Sequence, residues 1–226
     1  MLVYLLFIVP PLLLALYAQS KIHSTYNEMS RVPARMTGFE AARRMLDGAG
    51  LGHIRIETTP GVMSDHYDPG AKVVRLSPGV FHERSIAAVG IACHEAGHAF
   101  QDAKNYAPLV IRNLAVPTAS FGSGIGGVMI MVGVLLQSTA LAWLGVIAFS
   151  AFVFFQLVNL PVEFDASRRA RNHLLSLGIV DAREDRLVGK VLGAAALTYV
   201  AATLQAVMQL LYFITMLMGQ NSEERA

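Results

Sequence analysis

Four long stretches of this chain carry no formally charged side chain, and that pattern restricts its fold more than any other feature. They are residues 2–18, 121–136, 140–158 and 192–218, and only Gln137-Ser138-Thr139 separates the second from the third. A helix needs about 20 apolar residues to cross a bilayer, within a range of about 17–25. The last three runs reach that length once flanking residues are counted, and the first sits at the lower limit. The chain is 54% hydrophobic and only 15% charged, too apolar for an ordinary soluble domain. The expected fold class is a mainly α integral membrane protein. About four transmembrane helices are expected to accompany a small α+β unit.

The first run reads as a retained anchor rather than a signal peptide. Nothing basic precedes it, and Leu16-Tyr17-Ala18 is a poor small-x-small cleavage site. Basic residues set the orientation. Lys21, Arg31, Arg35, Arg43 and Arg44 follow the first run, and Arg168, Arg169, Arg171, Arg183, Arg186 and Lys190 lie between the third and fourth. The short loop at 137–139 has none. The positive-inside rule therefore places both charged regions in the cytoplasm and the amino terminus outside. The single cysteine, Cys93, excludes an intrachain disulfide. The net charge of +2 says nothing about nucleic acid and no basic–aromatic stripe suggests it, so no nucleic-acid partner is expected; the bilayer is the expected partner.

Between the first and second runs lies the material for a small folded unit. Residues 19–36 read as a polar connector. Thr37 is a candidate N-cap, with Glu40 three residues on in the capping-box arrangement, for a helix reaching about Asp47. Residues 53–57 alternate polar and apolar side chains, as a half-buried strand does. Asp68-Pro69-Gly70-Ala71 is a strong turn signal between residues 64–67 and 72–76, which together read as a hairpin. A long helix is then expected from Glu83 to about Lys104. The domain reading is an anchor at 1–18, a cytosolic α+β unit at 19–115 and a transmembrane hairpin at 116–160. A cytosolic helix at 161–191, a transmembrane helix at 192–218 and a tail at 219–226 complete it.

The chemistry is concentrated in His94-Glu95-Ala96-Gly97-His98. Residues four apart share a helix face, so both imidazoles can converge on one ion, and Glu95 projects beside them as a general base. A catalytic zinc site normally has three protein ligands and an open position. Asp102 continues the same face but lies about 12 Å along the axis from His94, out of reach. Glu163 is the best third ligand, because a carboxylate emerging directly after a membrane run is costly unless partnered. Two membrane segments separate His98 from Glu163, so both return to the same side.

These residues resemble a family. The His-Glu-x-x-His helix, a membrane hairpin and then Glu-x-x-Ala are similar to the gluzincin membrane proteases, among them the prenyl-protein endoprotease and the bacterial heat-shock membrane protease. In that pattern an Asp follows the Ala and the Glu is the third zinc ligand. Glu163 and Ala166 match, but Ser167 stands where the Asp would be. That leaves the usual carboxylate behind a zinc histidine unassigned, and Asp165 points elsewhere on the helix. Nearly the whole chain resembles the YugP-type neutral zinc metallopeptidases of bacteria, through Ser64-Asp65-His66-Tyr67-Asp68-Pro69, the zinc motif with Ala99, and residues 160–167 and 194–199. The resemblance implies a bacterial-type membrane peptidase with zinc as its cofactor. The extended metzincin pattern is absent, since Gln101 and Lys104 stand where it needs Gly and His.

The expected function is therefore an integral membrane zinc endopeptidase, with metal ligands His94, His98 and Glu163 and Glu95 as catalytic acid–base. It would act on a protein or peptide at the cytoplasmic face. Two readings from other classes stand beside it: a non-catalytic membrane adaptor with a structural zinc site, and a metal-dependent hydrolase of a non-peptide substrate. Glu95 separates the first of these, because a structural site needs no base. Candidate donors to the developing oxyanion are Tyr199, Arg112, His66, Tyr67 and His173. The hairpin before the zinc helix lies where gluzincin-type proteases carry an edge strand, and an exposed edge there could pair with an extended substrate. His23, His53 and His82 read as solvated or locally bonded. Cys93 reads as a packed thiol, and Asp165 as a modest surface partner of Arg169.

Overall fold

The computed structural model describes residues 2–223, with side-chain environments over 4–219. Among the described residues, four helical spans are long and apolar enough to cross a membrane: Tyr4–Met29, Ala107–Leu135, Thr139–Ser176 and Ala182–Gly219. The expected fold class is thus observed, a largely helical chain with four apolar helices and one small sheet. Of the expected tail at 219–226, residues 224–226 lie outside the described residues. The chain divides into two compact units.

One unit comprises Met1–Tyr17, Pro108–Pro161 and Thr198–Ala226. Its centre is a helical hairpin in which glycines let backbones touch. A Cβ on Gly122 would sit 2.2 Å from the Ala148 carbonyl oxygen, and one on Gly133 would sit 2.5 Å from the Ala142 nitrogen. Lipid supplies no hydrophobic drive between helices, so small residues that permit such approach carry the association. The first limb includes a π-helical turn, Gly122–Gly126, whose sequence Gly-Ser-Gly-Ile-Gly tolerates the wider winding. The limb reverses at residues 136–138, where Ser138 N–H donates to the Gly133 carbonyl. Phe149 and Phe213 pack edge-to-face at 5.5 Å, and Tyr4 and Tyr212 at 4.9 Å. Leu114, Met131 and Ile147 remain exposed, as side chains meeting lipid tails should.

The other unit comprises Ala18–Ala107 and Val162–Leu197. Its first helix, α1 (Leu2–Met29), corrects the expected polar connector, since the chain stays helical eleven residues beyond position 18. The reason is legible in hindsight. Ala18, Thr25 and Met29 are buried at helical spacing, and no proline interrupts before Pro33. Helix α2 (Gly38–Gly48) has the expected capping box: Thr37 Oγ1 accepts from Glu40 N–H, and the Glu40 carboxylate accepts from Thr37 N–H at 2.8 Å.

Three strands follow, β1 (Arg55–Thr58), β2 (His66–Asp68) and β3 (Val73–Leu76), in the order β1-β3-β2. The hairpin is present, with Tyr67 opposite Val74, and Asp68 Oδ1 accepts from Gly70 and Ala71 N–H in the turn. β1 runs parallel to β3, which makes β3 the central strand. That position fits its composition, because Val73, Val74 and Leu76 are fully buried. The free edge of the hairpin is β2.

The long helix expected from Glu83 to about Lys104 is present as α4 (Ile86–Ala103), starting three residues later, and a short helix α3 (Pro78–His82) that was not expected precedes it. Ser85 sets the start of α4. Its Oγ accepts from Ala88 N–H, and its backbone bridges antiparallel to Pro33. Helix α5 (Ala107–Phe121), the π turn and α6 (Gly127–Leu135) lead to α7 (Thr139–Ser176) and α8 (Ala182–Glu223). Helix α7 is continuous through Pro161. The core of this unit joins Met45, Leu46, Ile86, Val89, Leu174 and Val188 from α2, α4, α7 and α8. Arg171 clamps Asp185 with two hydrogen bonds of 2.9 and 2.6 Å, its guanidinium lying against Gly189. Thr37→Ala removes one half of the α2 cap and should lower stability by about 1 kcal/mol. Thermal unfolding of purified protein in detergent checks this; an unchanged melting temperature would show that the cap is dispensable.

Candidate metal centre

Gly97 determines how the site can be assembled. A Cβ at this position would lie 2.6 Å from the Ala166 carbonyl oxygen, so α4 and α7 approach with their backbones in contact. Ala96, Ala166 and Ala170 keep the same crossing thin. Close approach places residues on either side of the crossing within reach of one another with short side chains. His98 follows Gly97 directly and His94 precedes it by three residues, and three residues before Ala166 stands Glu163.

The ligand atoms of His94, His98 and Glu163 all lie within 4.8 Å of one another. Glu163 Oε2 is 3.3 Å from His94 Nε2 and 3.6 Å from His98 Nε2, and the two rings stand nearly perpendicular, 84° apart. Ligand atoms about 2 Å from a shared tetrahedral ion are themselves roughly 3.3 Å apart. A hydrogen-bonded pair would ordinarily close to about 2.7–3.2 Å. The three donors are also sheltered, with side-chain exposures of 12%, 10% and 5%. Two imidazoles and one carboxylate form the donor set that zinc accepts, so the residues present fit that ion.

The far side of each ring is bonded as well. His94 Nδ1 lies 3.1 Å from Ser167 Oγ, and His98 Nδ1 lies 3.0 Å from Gln101 Oε1. Gln101 Nε2 donates onward to the Val162 carbonyl at 2.8 Å and to Asp165 Oδ2 at 3.0 Å. Asp165 is held by Arg168 and Arg169. The Asp165–Arg169 pair expected at the surface therefore exists, but its carboxylate is only 4% exposed. Burial by itself would depress the His98 imidazole. The Glu163 carboxylate 3.6 Å away, the Glu95 charge and the Gln101 acceptor outweigh it, and the net direction is upward. The cluster thus attracts positive charge.

Glu95 is 9% exposed. A second carboxylate close enough to feel it, Asp65, accepts from Ser77 N–H at 2.7 Å and from the Ser77 hydroxyl. Burial raises the Asp65 carboxyl against those bonds, and Glu95 adds to the rise. Asp102 does not join the ligands. It accepts from Tyr67 Oη at 2.6 Å and pairs with Lys72, tying β2 and the hairpin to α4. Burial first, and then this bond, raise the Tyr67 phenol far above its usual range. Cys93 is fully buried, and burial pushes its thiol up.

The other candidates are placed as follows. His66 is exposed and 2.8 Å from the Ser64 carbonyl, and His173 stacks on Phe100 at 4.6 Å. Arg112 and Tyr199 belong to the other compact unit. Gln101 and Ser167 enter the sequence reading only as departures from other families' patterns and Gly97 only as part of the motif, none with a role at the site. Their signal was positional: Gln101 follows His98 by three residues and Ser167 follows Glu163 by four, each on the ligand face of its helix.

Gly97→Ala should force the helices apart or strain them, at a cost of about 1–3 kcal/mol, and weaken zinc binding with it. Zinc content and melting temperature of the purified variant check this, and wild-type values for both would show that the crossing has slack.

Comparison with known proteins shows the family. The profile of the family described as "Putative neutral zinc metallopeptidase" matches residues 4–218. The protein named "Putative membrane protease YugP" from Bacillus subtilis (strain 168) is 45% identical over 212 residues, covering 93% of this chain and 94% of that one. No solved structure matches. Four membrane-length helices and a sheltered His-His-Glu group that could hold a metal ion are thus found in a chain that belongs to the neutral zinc metallopeptidase family.

Proposed function

We propose that this protein is an integral membrane endopeptidase in which His94, His98 and Glu163 bind zinc and Glu95 is the general base and acid. The observation that carries the reading is the convergence of three ligand atoms within 4.8 Å, on a helix that presents Glu95 between the two histidines. A closed structural site would have no use for that carboxylate.

Zinc in this position supplies Lewis acidity, lowering the pKa of a water toward about 7 and polarising the scissile carbonyl. The chain's own residues do the rest. Gly97 and Ala166 hold the two ligand-bearing helices in register, and Glu163 contributes one negative charge to balance the cation. Glu95 accepts a proton from the attacking water as the new C–O bond forms. It then delivers that proton to the amide nitrogen as the C–N bond breaks. The free edge of β2, held to the zinc helix by Tyr67 and Asp102, offers backbone groups that an extended peptide can pair with. Recognition through backbone hydrogen bonds makes a protein or peptide the substrate class. The basic residues flanking the spans support a site at the cytoplasmic face, by the positive-inside rule.

Glu95→Gln should reduce cleavage of a casein-type substrate by at least about 100-fold while zinc stays bound. Glu163→Ala should lose the metal and the activity together. A chelator should abolish wild-type cleavage, and added zinc should restore it. Full activity in a folded, zinc-loaded Glu95→Gln protein would contradict the assignment, as would chelator-resistant cleavage.

A further inference from the structure

Gln101 is fully buried, yet it is polar and lies outside the proposed ligand set. A buried carboxamide is expensive unless both ends are bonded, and here both are. The two groups around its nitrogen, the Val162 carbonyl and the Asp165 carboxylate, are acceptors. Only an NH2 satisfies them, so the amide can point just one way. The carbonyl end must then face His98 Nδ1, at 3.0 Å. An acceptor there favours the tautomer carrying its proton on Nδ1 and leaves the Nε2 lone pair free. That nitrogen is the one facing Glu163, 3.6 Å away.

We propose that Gln101 is a positioning residue for the metal ligand His98, fixing it as the Nδ1–H tautomer. The same amide ties the ring to α7, the helix that carries Glu163. The inference rests on the zinc site proposed above. The relay runs from the His98 ring through a neutral amide to Asp165, whose charge is offset by Arg168 and Arg169. An amide in this place orients the ring without adding a negative charge directly behind it, unlike a carboxylate in the same position. It also occupies the role that Asp165 cannot fill itself, because Asp165 reaches His98 only through Gln101.

Two measurements on the full-length, detergent-purified protein test this. The first uses the zinc-loaded wild type with 15N-labelled histidine. His98 should show a protonated Nδ1 and a metal-bound Nε2; coordination through Nδ1 would overturn the proposal. The second is zinc affinity, read by competition with a chromophoric chelator. Gln101→Met keeps the volume but removes the acceptor, and should weaken zinc about 10–100-fold.

Wild-type affinity in Gln101→Met would overturn the proposal. Should that variant fail to fold, the wild-type nitrogen spectrum decides alone. Glu163→Ala serves as the control. If it binds zinc as tightly as wild type, the zinc site itself is wrong. If it loses zinc while Gln101→Met does not, only the role of Gln101 fails.

Discussion

Backbone contact between α4 and α7 at Gly97 and Ala166 governs the rest of this unit. Imidazole and carboxylate side chains reach only a few ångströms from the backbone, so the closeness of this crossing sets where donors on the two helices meet. Helix axes in ordinary pairs lie about 8–10 Å apart, set by the side chains at the contact. Small residues on both sides of the crossing remove that spacer. Gly is a poor choice inside a helix on propensity alone, and its presence at 97 answers to this approach.

Such a crossing buries polar groups, and burial dictates what surrounds them. Each ring nitrogen away from Glu163 has a partner, Ser167 behind His94 and Gln101 behind His98. Asp165 is buried with Arg168 and Arg169 against it. A half-satisfied cluster would be worse than an apolar one, so the network is built to completion. What remains is a group of three sheltered donors whose ligand atoms lie within 4.8 Å of one another, as a shared cation requires. Membership of the neutral zinc metallopeptidase family is consistent with that cation being zinc.

Much of this was legible from residues alone. The uncharged runs announced four membrane-length helices, and the capping box at Thr37 and the turn at Asp68 marked their local structures. The i, i+4 histidines and the carboxylate after the hairpin indicated three residues that the fold brings together. What escaped depends on tertiary context. The extension of α1 to Met29 follows from burial of Ala18, Thr25 and Met29, a face that polar neighbours disguised. The late start of α4 follows from the bridge between Ser85 and Pro33, a pairing over fifty residues. The central place of β3 depends on β1 joining from the other side. Asp102 looked like a possible ligand by spacing and is instead the tie between Tyr67, Lys72 and the zinc helix. Gln101 was noticed only as the residue that breaks another family's pattern, because its partners lie sixty residues away in α7.

The account stands on one cation shared between α4 and α7. X-ray absorption at the zinc edge of the purified wild-type protein tests it most directly. The expected result is one tightly held zinc per chain with two imidazole nitrogens and a carboxylate oxygen in its coordination sphere. A sphere containing the Cys93 sulfur, or one with fewer than two imidazoles, would contradict it.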